Sequence, residues 1–449
     1  MEEFEVTVGD FTPKGYGTAL LPSGKEVEIA HTVPGDQVKI EWRKKRRPPQ
    51  KGRLLDVVKA SEERVEPRCA HARVCGGCCW QQMDYAAQLK HKEERVKNAF
   101  GVVPSPILPS PALFGYRNKM EFSFSENRAG MRFLGLMIAQ AEPYVFNVSE
   151  CHLCPAWCTE ALRQVRSWWE SSGLKAYDVH NDTGSLRYLT LRHAFRTGQK
   201  MAILNVSGNP DFALTRPQID GLGSAVCAAL PGETPSLFLR VHQTKKGRPT
   251  QFYEMHLLGA DHIVEELSVQ GESLSFKISP ASFFQPNTLS AELLYNTALS
   301  LIPPSSLVYD LYCGTGTLGM AAARKARHVV SIDLSSESIL DAAENLKRNG
   351  LTNVTLHQGD VGKVLTTLNE RPDTVIVDPP RAGLASLALH HLKRLLPKSL
   401  LYISCNPLTQ SANIRELMAA GYRLQTLQPV DQFPHTYHIE NIAYLNRVH

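Results

Sequence analysis

Cys405 closes an apolar run, Leu400-Leu401-Tyr402-Ile403-Ser404, and is followed by Asn406-Pro407. A thiolate at a strand end can act as a nucleophile. Leu307–Leu311 leads into a glycine-bearing turn, Tyr312-Cys313-Gly314-Thr315-Gly316-Thr317, and a helix pattern follows. Strand, tight turn and helix is how an open α/β sheet builds a nucleotide site. The glycines are not spaced G-x-G-x-x-G, so a pyrophosphate is a poor fit. Asp310 before the turn and Asp333 at the end of HVVSID suit S-adenosylmethionine better, with Asp333 placed to bind ribose hydroxyls. Asp360 after VTLHQG and Asp378 after TVIV fall, like Cys405, at carboxyl ends of successive strands. Asp378-Pro379-Pro380 resembles the strand end of exocyclic-amine methyltransferases, but these continue with an aromatic residue, and Arg381 stands here instead. A pyrimidine C5 is too weak a nucleophile to take a methyl group from a sulfonium. A thiolate added at C6 turns the ring into an enolate whose C5 can. A base must then remove the C5 proton. Glu440, in His438-Ile439-Glu440-Asn441, is the first choice for that base, with His435 and His438 behind it. The target ring must leave its stack to be reached.

The elements that must hold these residues form a strand–helix alternation from Ser273 to His449, as in a doubly wound α/β fold. Its periodicity predicts helices over Thr288 to Leu301, Leu318 to Ala326, Ser335 to Asn349 and Leu387 to Leu396. It ends in hairpin-like elements. Ahead of it, residues 61–270 read as a central α+β domain. LFGYRNKMEFSF, RYLTLRHAF, KMAILNVSG, SLFLRVHQT and QFYEMHLLG are strands, and Cys158 to Ser171 a helix. Arg117 and Lys119 form a basic pair that could face RNA. Residues 1–60 read as short strands separated by Gly15-Tyr16-Gly17, Pro22-Ser23-Gly24 and Pro34-Gly35-Asp36, a small barrel of OB type. Arg43 to Arg53 holds seven basic residues in eleven and no acid, which reads as a phosphate-binding arm.

At 449 residues, 43% hydrophobic and 21% charged, the chain has the make-up of a multidomain globular protein with net charge +5. No apolar run is long enough to cross a membrane, and the acidic N-terminal start is not a signal peptide. Ten cysteines without a secretion signal point to the cytosol and to metal or catalysis rather than disulfides. They concentrate in Cys69, Cys75, Cys78 and Cys79, a C-x5-C-x2-C pattern followed by a helix from Tyr85 to Phe100, and in Cys151, Cys154 and Cys158. Thiolates in this pattern suit zinc or an iron–sulfur cluster, with the fourth ligand open between Cys151 and Cys154.

Taken together, GYRNK, SFFQPNT, DLYCGTGT, DPPRAGL, SCNP and FPHTYHIE, in this order over nearly the whole chain, resemble the RNA uridine-C5 methyltransferase family. The resemblance implies a Rossmann-like methyltransferase domain over 271–449, the central domain, and an N-terminal TRAM barrel. It implies Cys405 as nucleophile and Glu440 as base. It places Gln285, Tyr312, Thr317, Asp333, Asp360 and Asp378 against S-adenosylmethionine. It also implies a four-iron–four-sulfur (4Fe-4S) cluster on Cys69, Cys75, Cys78 and Cys151. After SCNPLT the family commonly has a basic residue. Gln410-Ser411-Ala412 stands here, which is expected to alter how that loop meets RNA. Barrel and cluster cysteines together are more like the enzymes of 23S ribosomal RNA, acting as monomers, than like the tRNA-directed branch. Two rivals remain at this point. A cytosine-C5 methyltransferase shares the thiolate step, though its nucleophile usually follows a proline. A catalytically inactive RNA-binding iron–sulfur assembly factor would not need both Cys405 and Glu440.

Overall fold

The computed structural model describes residues 2–43, 49–243 and 251–448. Residues 44–48 of the basic run, with four of its seven basic residues, therefore lie outside the described residues. Strands β1 (Glu2–Thr7), β2 (Gly17–Leu20), β3 (Glu26–Ile29), β4 (Gln37–Trp42) and β5 (Lys51–Lys59) form one sheet in the order β1-β4-β5-β3-β2. Its alternating apolar residues, among them Val6, Val27, Ile29, Val38 and Ile40, enclose a small core of their own. The connection to the next sheet carries helix α1 (Tyr85–Phe100), whose first turn is capped by Asp84 accepting from the Ala86 and Ala87 N–H groups.

The second sheet contains β6 (Lys119–Glu126), β7 (Arg132–Met137), β8 (Val145–Asn147), β9 (Leu186–His193), β10 (Lys200–Ser207), β11 (Ser236–Gln243) and β12 (Gln251–Leu258), in the order β12-β11-β10-β9-β6-β7-β8. Only β10 and β11 run parallel, because α3 (Arg216–Ala228) crosses between them. Helix α2 (Ala156–Ser171) packs with α3 over one face, burying Trp157, Leu162, Val165 and Trp169 against Phe122, Leu189 and Leu204. The pattern in the sequence did not predict α3. Pro217, Gly221 and Gly223 weaken its helical signal, and a capping box of Thr215 and Gln218 starts it.

A hairpin, β13 (Ile263–Val269) and β14 (Glu272–Ile278), leads to α4 (Thr288–Ser300). The third sheet follows. Its parallel part alternates β15 (Ser305–Leu311), α5 (Thr317–Ala322), β16 (Ala326–Asp333), α6 (Ser336–Arg348), β17 (Val354–Gln358), α7 (Val361–Thr367), β18 (Thr374–Val377), α8 (Ser386–Leu395), β19 (Ser399–Ser404) and α9 (Pro407–Ala419). An antiparallel pair, β20 (Tyr422–Val430) and β21 (Glu440–Arg447), completes it. The order β17-β16-β15-β18-β19-β21-β20 puts a topological switch between β15 and β18. Strands β15, β18 and β19 are buried on both faces, which explains their unbroken apolar runs. Helix α5 stops at Ala322 rather than Ala326, because the Ala326–Ile332 segment pairs with β15. One apolar core joins Met201, Ile203 and Phe238 of the second sheet to the hairpin, α4 and the third sheet.

Candidate active site

In an open parallel sheet, ligands bind beyond the carboxyl ends of the strands at the switch. A cavity of about 920 Å³ lies there, walled by the ends of β15, β16, β18, β19 and β21 and by the Phe283–Pro286 loop before α4. The turn after β15 reaches it through left-handed backbone at Tyr312 (φ 64°), Gly314 (φ 54°) and Gly316 (φ 85°). The Gly314 N–H donates to Asp333 Oδ2 at 2.9 Å, and Ser335 N–H donates to Oδ1 at 2.9 Å. Both bonds fix the carboxylate at the edge of the cavity. At Gly319, in α5, a Cβ would stand 2.6 Å from Asp310 Oδ2, so glycine is what lets the helix sit on the strand end. Burial pushes the Asp310 carboxyl up to about 7, against the easing effect of the Gly319 N–H.

Across the switch stand the groups fit for chemistry. Asp378 follows β18. It is reached from the cavity but otherwise enclosed by protein, and that burial pushes its carboxyl up to about 7. Glu440 opens β21 and is 5% exposed. Burial, and then the charge of Asp378, push its carboxyl well above the usual range, while Arg381 pulls it down. Cys405 follows β19 and is half-buried. Burial and Glu440 push its thiol up, and a hydrogen bond from the Arg381 side chain opposes them. Arg381 is thus the cation between the Cys405 thiol and the Glu440 carboxyl. Its Nη2 donates to His438 Nδ1 at 2.6 Å, and its carbonyl accepts from Asn406 Nδ2 at 3.0 Å and from Thr409 Oγ1 at 3.1 Å. The two turns therefore latch onto each other. Burial and Arg381 bring His438 down to about 3, leaving a neutral ring.

The loop that delivers Glu440, residues 431–439, is tied to the N-terminal half of the chain. Lys92 of α1 donates to Asp431 Oδ1 at 2.6 Å with both side chains fully buried, and Tyr85 donates to Oδ2 at 2.9 Å. Gln88 Oε1 accepts from His435 N–H, Trp80 N–H donates to the His435 carbonyl, and Tyr116 donates to the Pro434 carbonyl. Gln432 Nε2 donates to Gln285 Oε1 at 2.8 Å, orienting that amide at the cavity wall.

Gln285, Tyr312, Thr317, Asp333, Asp378, Cys405 and Glu440 all line this one cavity. Asp360 does not appear in its wall. Its carboxylate accepts from Lys363 N–H at 3.0 Å and caps α7, the alternative use of an acid at a strand end. His435 is also absent from the wall, stacked on Phe114 with centroids 4.5 Å apart. Gln410 and Ser411 are not on a loop that meets RNA. They lie buried in α9, where Gln410 Nε2 donates to the carbonyls of Tyr402 and Asn441 and Ser411 to that of Ala99. The pattern reading missed Tyr295, which α4 brings to the wall, and the hydrogen bonds of Arg381.

A second cavity, of about 180 Å³, is lined by Cys69, Cys75, Cys78 and Cys151. Backbone N–H groups point at several of the sulfurs: His71 at Cys69, Gly77 at Cys75 (3.3 Å), and Leu153 and Cys154 at Cys151. Burial outweighs these donors and pushes the thiols of Cys69, Cys75 and Cys78 up, and the Cys154 side chain and then burial do the same at Cys151. Among the described residues, no group of three or more His, Cys, Asp or Glu side chains could hold a metal ion. Cys79 packs with Trp80 and Met83, and Cys154 and Cys158 belong to the core under α2. Gly77 and Arg117 line both cavities, so the two adjoin. No helix among the described residues is long and apolar enough to cross a membrane.

Residues 248–448 match a family model described as tRNA (Uracil-5-)-methyltransferase. The chain is 47% identical over 440 residues to an uncharacterized RNA methyltransferase of Protochlamydia amoebophila, covering 93% of this chain and 99% of that one. It is 32% identical over 451 residues to an uncharacterized RNA methyltransferase of Caldanaerobacter subterraneus, covering 98% of each. The crystal structure of Pyrococcus abyssi tRNA (uracil-54, C5)-methyltransferase in complex with S-adenosyl-L-homocysteine superposes with a TM-score of 0.74 at 24% identity. The match covers 98% of this chain and 100% of that one, and at that identity it speaks to the fold.

Proposed function

The chain belongs to the RNA methyltransferase family whose model is described as tRNA (uracil-5-)-methyltransferase, and we propose that it methylates C5 of a uridine in 23S ribosomal RNA through a covalent adduct of Cys405. The observation that carries the mechanism is that Cys405, Glu440 and Asp378 share one cavity with the glycine turn. S-adenosylmethionine, when bound, supplies the methyl group. Gln285, Tyr312, Thr317 and Asp333 would hold it along the cavity wall, with Asp360 set back at the cap of α7.

The chain's own residues do the rest. Arg381 steadies the Cys405 thiolate, whose sulfur adds to C6 of a ring turned into the cavity. Electron density moves to C5, the atom that accepts the methyl group. Glu440, whose ionised form Arg381 favours against burial and Asp378, takes the C5 proton, and the electron pair left behind expels the sulfur. His438 serves as a neutral acceptor for Arg381 rather than as the base. Asp378, held up near neutrality, is able to donate a hydrogen bond to a uracil oxygen.

The N-terminal sheet's five-strand order is consistent with an OB-like TRAM barrel. On this reading the chain divides into residues 1–60, 61–270 and 271–449 and acts in the cytosol as a monomer. Four thiols spread around one cavity suit a 4Fe-4S cluster better than a single ion, which needs its donors gathered within about 2.3 Å of one point. tRNA is the second reading, favoured by the names of the family model and of the full-length structural relative.

Incubation with tritiated cofactor and separated ribosomal and transfer RNA, followed by nucleoside analysis, tests the whole reading. Label in 5-methyluridine of ribosomal RNA is the expected result. The same label only in tRNA favours the second reading, 5-methylcytidine makes the enzyme a cytosine methyltransferase, and no label at all leaves a binding protein.

A further inference from the structure

Two thiols, Cys154 and Cys158, play no part in either cavity, yet they closely follow in sequence one that does. Cys151 and Cys154 bracket a turn over residues 152–153. The Cys154 thiol donates to the Cys151 carbonyl at 3.7 Å, and the Cys154 side chain is the first of the influences that push the Cys151 thiol up. Cys154 and Cys158 share the core under α2. A tight turn brings its end Cα atoms within about 7 Å, inside the span a disulfide can bridge. All three cysteines are free in the structure. Cys154 is 5% and Cys158 2% exposed, whereas Cys151 is half-buried and opens onto the thiol-lined cavity. An oxidant entering that cavity therefore meets Cys151 first, with Cys154 already in contact behind it.

We infer that Cys151 and Cys154 are a peroxide-reactive pair, so that Cys151 has two alternative partners, the cavity it faces and the thiol behind it. The Cys151 sulfur attacks a peroxide oxygen, the O–O bond breaks, and Cys151 becomes a sulfenic acid with release of water. Cys154 then attacks that sulfur, the S–O bond breaks, a second water leaves and the disulfide forms. Two thiols are oxidised and one hydrogen peroxide is reduced to two waters. The closed pair leaves Cys69, Cys75 and Cys78 alone in the cavity wall, one thiol short of a four-thiolate cage, and Cys151 is spared further oxidation. Pair formation itself does not require that a cluster ever binds. Only its consequence for the cage rests on the cluster reading above.

The test uses the full-length protein, purified without oxygen, exposed to a few-fold excess of hydrogen peroxide, alkylated, digested and sequenced by tandem mass spectrometry. A Cys151–Cys154 bond that dithiothreitol reverses is expected. In Cys154→Ala and Cys154→Ser, Cys151 should instead accumulate as sulfinic acid, several-fold above wild type, while iron and sulfide taken up on anaerobic reconstitution stay unchanged. A bond between Cys75 and Cys78 or between Cys154 and Cys158, or equal sulfinic acid in wild type and variants, would overturn the inference. Absence of iron uptake by every protein would defeat the cluster reading and leave the disulfide result to stand or fall alone.

Discussion

Arg381 is the residue on which the charge balance of the site turns, since it faces the Cys405 thiol, a neutral imidazole and the Glu440 carboxyl at once. Removing the groups it serves separates the steps of the reaction. Cys405→Ala should lose turnover by at least about 10⁴-fold, as for other nucleophile deletions, while calorimetry still shows cofactor binding. Glu440→Gln should still add to the ring and then stall, giving a slower RNA-linked band on denaturing gels. A variant that turns over normally, or no slower band, would reassign the base. Asp378 offers a pH test. Its folded carboxyl is raised to about 7 from an ordinary 3.8, so the folded state holds the proton more tightly. Its contribution to stability is complete below about pH 4 and is lost as pH rises through about 7. Asp378→Asn cannot ionise, and should gain on wild type from pH 5 to pH 8. Because cavity water reaches the group, the gain is on the order of 2 °C in melting temperature. A constant gap across that range would contradict the buried-acid account. Most of these residues were legible because strand ends announce ligand positions. Asp360 shows the limit of that rule, for an acid at a strand end fits a helix cap equally well. Tyr295 gave no signal, since a tyrosine within a helix reads as core until the fold brings it to the cavity.

Between elements, the placement of Glu440 depends less on β21 than on the strap that ties the 431–439 loop to α1. Its centre is the fully buried pair of Lys92 and Asp431. Such a pair need not stabilise on balance, but breaking it from one side is costly, because a charge is left buried and unpaired. Lys92→Met should cost about 3–5 kcal/mol in chemical denaturation. The double change Lys92→Met/Asp431→Leu should recover more than half of that. If the single and double variants unfold alike, the pair is not what secures the strap. Neither partner looked significant in the chain, where they are separated by more than three hundred residues. Helix α1 itself was expected over Tyr85 to Phe100, the bounds it has, and Asp84 caps it. Helix α9 was hidden, because Pro407 after Asn406 reads as a turn, whereas proline in a first helical turn is well tolerated and Asn406 is the cap.

For the whole molecule, a strand–helix alternation was enough to indicate the third sheet. The order of the second could not be read, because its mixed pairing depends on α3, whose glycines and proline mask it. The joining of the parts was equally invisible. The Trp80 indole donates to the Gly15 carbonyl at 2.9 Å, and a Cβ on Gly15 would stand 2.7 Å from Tyr437, so the N-terminal sheet rests on the loop that leads to Glu440. In the sequence, the basic run Arg43–Arg53 joins β4 to β5 of that sheet. If the run holds RNA phosphates, replacing Lys44, Lys45, Arg46 and Arg47 with glutamine removes up to four of the charges that release counterions on binding. The slope of log affinity against log salt should then become shallower by about 0.7–0.9 for each phosphate that is no longer neutralised, so by roughly 3 if all four engage. Affinity should fall most at low salt. Melting temperature should stay within about a degree if the four residues act on RNA rather than on the fold. Filter binding of substrate RNA across a salt series, for wild type and the fourfold variant, reads the slope and the affinity together. Parallel lines displaced by a constant would mean the run contributes shape rather than charge, and coincident lines would remove it from the RNA-binding surface altogether.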